Sequence, residues 1–289
     1  MTRLFILLVV CLSSLSSLAA TVVVDDEGGE LVFDQPAQRI ISLAPHITEN
    51  LFSAGAGSQV VGVVSYSDFP KEAQSIASVG NYRMFSLESI LALEPDLIVA
   101  WKSGNGEGKI AQLRALGLKV FVGDPKKIED IASSIARLGL ATGHEQEAKQ
   151  ASEDFLSKLQ SLRVKYSSES EVGVFYQVWN APLQTLNGEH LISDVIRMCG
   201  GRNVFSGALT LAPHVSVEGV VGANPDVIVV SGMGENRPEW LEDWRPWTGI
   251  SAVRNEQLYF INPNHLVRHS SRILLGAQKM CEYLKRARQ

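Results

Sequence analysis

Aromatic and imidazole side chains recur just after runs that read as buried strands. Tyr66 follows Val60–Val64 in the stretch Ser-Tyr-Ser-Asp-Phe-Pro, and Tyr82 and Phe85 come shortly before Ser86. Trp101 closes the run Leu97–Ala100, and Trp179 follows Glu171–Gln177. His46 follows the run Arg39–Leu43, and His265 and His269 follow Gln257–Ile261. Strand carboxyl ends border the ligand crevice of an open α/β sheet. Aromatic side chains there cover a large, flat, partly apolar ligand. One aromatic at a strand end can equally be a core plug; the clustering is what favours a ligand wall. Catalytic chemistry has no comparable signature. The chain has no G-x-S-x-G, no H-E-x-x-H, no P-loop and no G-x-G-x-x-G after a strand. The residues therefore read as a binding site, with no catalytic residue, resident metal or cofactor assigned.

The elements that must position these residues come in two rhyming halves. Residues 86–99 read Ser-Leu-Glu-Ser-Ile-Leu-Ala-Leu-Glu-Pro-Asp-Leu-Ile-Val, and residues 216–229 read Ser-Val-Glu-Gly-Val-Val-Gly-Ala-Asn-Pro-Asp-Val-Ile-Val. Each copy parses as a short helix, a turn and a buried strand. Ser86 and Ser216 are candidate N-caps, and Glu88 and Glu218 place a negative charge in the first turn, where the helix dipole favours it. Pro95 and Pro225 stop the helices. The apolar runs Leu97–Ala100 and Val227–Val230 suit a parallel sheet covered on both faces.

Strands and helices alternate through the rest of both halves, so the fold class is α/β with mostly parallel sheets. The first half supplies helices at 48–54, 109–116 and 128–138 and strands at 39–43, 60–64 and 119–122. The second supplies strands at 171–177 and 257–261 and helices at 191–198 and 271–286. Between them, Ala148, Ala151, Phe155, Leu159 and Leu162 recur at spacings of three and four. That pattern predicts an amphipathic helix over 145–165, roughly 30 Å long. The expected architecture is two Rossmann-like lobes, 21–142 and 169–289, joined by a spine helix within 143–168. The cleft between them is the expected ligand site.

The N-terminus reads as an export signal. Arg3 precedes a short apolar run, Leu4 to Leu12, and small residues follow at Ala19-Ala20. This order is a secretory signal peptide over 1–20, and an apolar run of that length is too short to span a bilayer. Cys11 lies inside the apolar run behind the bulky Val10, which argues against lipidation. The net charge of −5 argues against nucleic acid. After export two cysteines remain, Cys199 and Cys281. A lone pair in an oxidising compartment reads as a disulfide; the rival reading, a catalytic thiol, lacks an identifiable base.

Several stretches resemble the periplasmic vitamin B12-binding proteins of cobalamin importers, within the superfamily that also binds haem and siderophores. They are Val64-Ser65-Tyr66-Ser67-Asp68-Phe69-Pro70, Ser86-Leu87-Glu88, Pro95 to Trp101, Gly104-Asn105, Cys199 to Phe205, Val215 to Glu218, and Arg268 to Ile273 leading to Cys281. The resemblance covers about residues 39–285. It implies a monomeric periplasmic protein that captures a corrinoid and hands it to the permease dimer of an ABC importer. By the same resemblance, Tyr66, Tyr82 and Trp101 line the pocket and Arg268 contacts the ligand's polar edge. Glu88 and Glu218 dock onto the permease, and Cys199 pairs with Cys281. The chain departs from the family in the second half. Ala212 and His265 replace pocket tryptophans and Asn264 replaces an acid, leaving a wall richer in imidazole, with His214, His265 and His269. A neutral imidazole can coordinate cobalt or haem iron, so a haem or iron-siderophore binder is the alternative. An exported α/β enzyme is the reading from a different class.

Overall fold

The computed structural model describes residues 20–166, 170–232, 234 and 236–289. The expected signal peptide, with Cys11, lies outside these residues except for Ala20. The chain opens with a hairpin of β1 (Thr21–Val24) and β2 (Glu30–Phe33). Then follow β3 (Ile40–Ser42), α1 (Pro45–Ser53), β4 (Val60–Val63), β5 (Ala77–Ser78), α2 (Leu87–Ala92), β6 (Leu97–Trp101), α3 (Lys102–Asn105), α4 (Glu107–Ala115), β7 (Val120–Gly123) and α5 (Ile128–Thr142). The spine is α6 (Glu145–Tyr166). Beyond it come β8 (Val172–Gln177), the small pair β9 (Trp179–Asn180) and β10 (Leu183–Gln184), α7 (Leu191–Met198), β11 (Gly201–Asn203), α8 (Val217–Ala223) and β12 (Val227–Val230). The chain ends with α9 (Ser251–Arg254), β13 (Leu258–Phe260), α10 (Pro263–Leu266) and α11 (Ile273–Ala287).

The described residues build two parallel sheets, in the orders β5-β4-β3-β6-β7 and β11-β8-β12-β13. The four strands β4-β3-β6-β7 have the same order as β11-β8-β12-β13, so the sequence repeat is also a repeat of topology. In each, the order reverses between the first and third strands, β3/β6 and β8/β12. Ligands favour such a switch point in open parallel sheets.

The repeated residues explain the repeated geometry. The Ser86 and Ser216 hydroxyls accept from the backbone N–H of Ser89 and Gly219, each at 3.1 Å. The helices end before the prolines do their work: Glu94 (φ 45°) and Asn224 (φ 42°), at matching positions, take the left-handed conformation that turns the chain out of the helix. The Asp96 carboxylate then accepts from the N–H of Gln38 and Arg39, at 2.7 and 2.9 Å, and Asp226 accepts from Gly173 at 2.7 Å. Each aspartate thus locks its strand to the neighbour across the switch point.

One continuous core runs through both halves. It joins Val23, Phe33 and Leu97 to Ile131 and Ile135 of α5, Phe155 and Leu159 of α6, and then Val174, Ile196, Met280 and Leu284. The outer faces of the two sheets carry their own cores, around Ile98 and Leu113 and around Phe175 and Trp244. Cys199 and Cys281 are joined by a disulfide, with Cα atoms 4.6 Å apart, that ties the end of α7 to α11. No helix among the described residues is long and apolar enough to cross a membrane.

Candidate functional site

Trp101, at the switch-point end of the first sheet, meets His269 from the segment beyond β13. Trp101 ends β6, and its side chain and backbone are each held by a hydrogen bond. Its Nε1–H donates to Asp124 at 3.2 Å, just beyond β7, and its backbone N–H donates to the Asn105 Oδ1 at 2.6 Å. The buried Asn105 uses its amide N–H groups on the carbonyls of Leu43 and Tyr82, at 2.9 and 2.7 Å. One side chain thereby fastens the end of β3, the Tyr82 loop and Trp101 together. Tyr82 sits on a tight loop in which Asn81 Oδ1 accepts from the N–H of Arg83 and Met84. Its ring centroid is 5.8 Å from that of Trp101.

Two imidazoles pack against Trp101, and a third extends the cluster. His46 lies in the first turn of α1, 5.1 Å from Trp101 edge-on. His269, on the loop between α10 and α11, lies 5.3 Å from His46 and 5.8 Å from Trp101. His190 lies 5.6 Å from His269 and caps α7, its Nδ1 accepting from the Ile192 N–H at 3.1 Å. Burial strips water from these rings and disfavours the imidazolium. It lowers the pKa of His46 to about 3 and of His190 to about 4, and puts His269 well below the ordinary range. Among the described residues, no group of histidine, cysteine and acidic side chains is placed to hold a metal ion.

Beside the imidazoles lies a buried ion network. Glu49 of α1 is 2% exposed. Its carboxylate pairs with Arg268 Nη1 at 2.8 Å and Arg272 Nε at 3.1 Å, and accepts from the Ser270 hydroxyl. Arg268 also reaches Asp68 at 2.6 Å. The Asn50 amide donates to the His269 carbonyl at 3.0 Å. These contacts join α1 and the Tyr66 loop to the segment ahead of α11.

The expected site residues fall in different places. Tyr82 and Trp101 are brought together. Tyr66 is 79% exposed at the apex of a turn, with a φ of 67° that bulky residues rarely adopt. Its neighbour Ser67 is buried and bonded to Thr48 at 3.1 Å, which anchors the turn to α1. Arg268 is buried, and its guanidinium is engaged by Glu49 and Asp68. His265 is half-buried on α10 and His214 is exposed, bridged to Gln184. The rings that do meet are those of His46, His190 and His269. His190, Asn105, Asp124 and Glu49 carry roles that the sequence reading did not assign. Asp124 directly follows a strand, the same criterion that singled out Trp101. Glu88 and Glu218 are exposed in the capped first turns of α2 and α8. The Glu218 carboxyl is held below the usual range by hydrogen bonds from its own backbone and from Ser216.

The comparison with known proteins accords with this arrangement. The family described as periplasmic binding protein matches residues 40–265. The chain belongs to that family. The binding protein is 38% identical over 255 residues to a vitamin B12-binding protein of Vibrio cholerae, covering 88% of this chain and 91% of the relative. It is 37% identical over 250 residues to the vitamin B12-binding protein of Yersinia pestis, covering 86% and 87%. The crystal structure of the periplasmic vitamin B12-binding protein of Vibrio cholerae superimposes with a TM-score of 0.82 at 37% identity, over 88% of this chain and 99% of that one. A periplasmic heme-binding protein from Roseiflexus shares the fold, with a TM-score of 0.77 at 22% identity, over 88% and 100%.

Proposed function

We propose that this binding protein captures cobalamin or a related corrinoid in the periplasm and delivers it to the permease of an ABC importer. The observation that carries this reading is the Tyr82–Trp101 pair at the end of β6, with His46 and His269 packed against Trp101. It stands in a chain whose relatives, alike over nearly all its length, are named as vitamin B12-binding proteins. Aromatic faces cover the corrin plane, and the exposed Tyr66 closes the wall at the rim. The ligand is cargo, bound without chemistry. Residues 1–20 are the export signal, and the lobes 21–142 and 169–289 embrace the ligand on either side of the spine helix.

Delivery uses the repeat. Glu88 and Glu218 sit one per half, in equivalent capped first turns. Two matched exposed carboxylates suit basic side chains on the two subunits of a permease dimer, met by a monomeric receptor. A haem-binding reading is favoured by the imidazoles alone, since neutral imidazole is a good iron ligand.

Titration of the purified mature protein with cyanocobalamin, dicyanocobinamide and haemin separates these readings. Micromolar or tighter corrinoid binding is expected. Haemin binding with a Soret shift, and no corrinoid binding, overturns the proposal. The double variant Glu88→Ala with Glu218→Ala should keep its ligand affinity and lose transport; unimpaired transport removes the docking role.

A further inference from the structure

His46, His190 and His269 are more than filler between the halves. The tautomer of His190 is set by its cap: with Nδ1 accepting from the Ile192 N–H, the ring proton sits on Nε2. His269 is 5% exposed, and its Nδ1 is buried with no hydrogen-bond partner. Buried polar atoms are normally paired, and an orphan in a site calls for an explanation. A ligand group that completes the pairing supplies one.

The charges around the rings are already matched. Asp124, Lys126 and Arg268 are the charged groups that bear on the three imidazoles. Lys126 pairs with Asp124 at 2.7 Å, and Arg268 pairs with Glu49 and Asp68. Burial keeps the imidazoles uncharged. The floor thus offers neutral donors and acceptors, with each nearby cation already committed to a carboxylate. An ionised carboxylate placed there would lose its hydration and gain no uncommitted cation. A carboxamide, which is neutral and both donates and accepts, fits.

We propose that His46, His190 and His269 form a neutral hydrogen-bonding floor that reads carboxamide groups on the edge of the bound macrocycle and selects an amidated ring over one bearing carboxylates. The proposal rests on the corrinoid reading above and names the ligand feature that the site recognises. The corrin edge carries amides, whereas haem carries two propionates, so this floor would also set the discrimination between the two cargoes.

The test compares cyanocobalamin with its monocarboxylic acids, in which one edge amide is hydrolysed, by calorimetry at neutral pH. The wild-type protein should bind at least one of these acids ten-fold or more weakly than the parent. His190→Asn keeps an acceptor for the Ile192 N–H and removes Nε2; His269→Leu removes the orphan nitrogen. Each should weaken cyanocobalamin binding about ten-fold and narrow the gap to the acids. A circular-dichroism melt checks folding, and His190→Asn, with its cap retained, stands if His269→Leu does not fold. Tight cyanocobalamin binding with all acids bound equally overturns this inference alone. So does an unchanged affinity in a folded His190→Asn or His269→Leu protein. No cyanocobalamin binding by the wild type overturns the corrinoid reading itself.

Discussion

Gly104 and Gly108 lie four residues apart in adjoining helices, and alanine should act on them with opposite sign. A Cβ at Gly104 would stand 1.9 Å from Trp101 Cε3, 2.3 Å from Cζ3 and 2.5 Å from Cδ2. Carbon atoms need about 3.5 Å, so the indole must move by roughly 1.5 Å. Overpacking of that kind costs about 1–3 kcal/mol. The shift also breaks the indole N–H bond to the Asp124 carboxylate; the indole is half-exposed, so that loss is about 1 kcal/mol at most. Against this, alanine in a helix gains about 0.5–1 kcal/mol over glycine. The clash wins, and Gly104→Ala should be destabilised by about 1–3 kcal/mol. A Cβ at Gly108 meets nothing within 4 Å. With no clash, Gly108→Ala should be neutral or stabilised by up to about 1 kcal/mol. Urea denaturation measures both. The Gly104→Ala protein should also bind its corrinoid more weakly, because Trp101 is displaced from Tyr82. A Gly104→Ala midpoint at or above that of Gly108→Ala would refute the reasoning.

Two further outcomes follow from the buried polar groups. His46 has its pKa lowered to about 3 by burial, against an ordinary 6.5, so below pH 6.5 the unfolded state binds a proton that the folded state refuses. Stability is therefore lost as pH falls from 6.5 towards 3, by about 1.4 kcal/mol per pH unit, or about 2 kcal/mol at pH 5. Urea midpoints at pH 7 and pH 5 should differ less in His46→Gln than in the wild type, and equal differences contradict the burial argument. Glu49→Ala leaves the Arg268 and Arg272 guanidiniums short of a buried counter-charge and should cost about 3–5 kcal/mol. A melting temperature unchanged from wild type would show that the network contributes nothing to folding.

The repeat was the most legible feature, because its landmarks are chemically obligatory. Ser86 and Ser216 cap helices, and the apolar runs that follow can only be sheet interior. The spine was legible because period-3.6 patterning over that length has few other readings. The turns out of α2 and α8 come one residue before the expected prolines, at Glu94 and Asn224. The hairpin β1–β2 has no alternating signature in the sequence, because Thr21–Val24 is nearly all apolar. Alternation is visible only in the fold, where Val23 is buried and Val22 and Val24 are exposed. In the site, strand-end aromatics were legible and their supports were not. Asn105 and Asp124 act through bonds to residues distant in sequence, 62 positions away for Leu43 and 23 for Trp101. The Glu49–Arg268 pair spans 219 positions. His190 is a histidine doing the work of a serine at a helix N-cap, a use with no sequence pattern of its own.

The core that passes from Val23 through Phe155 to Leu284 bears on how the cargo gets out. A receptor built on flexible tethers can swing wide by thermal motion and lose its ligand unaided. Here, spreading the two sheets far apart would shear packed side chains of α5, α6 and α11 and part Glu49 from Arg268. Both steps are uphill and yield no compensating contact. Spontaneous opening is then a shallow breathing of the rim, and residence time is set mainly by the ligand's own contacts. Emptying the cleft quickly requires mechanical work from outside the molecule. The membrane partner, with its nucleotide-driven cycle, is the component placed to supply it.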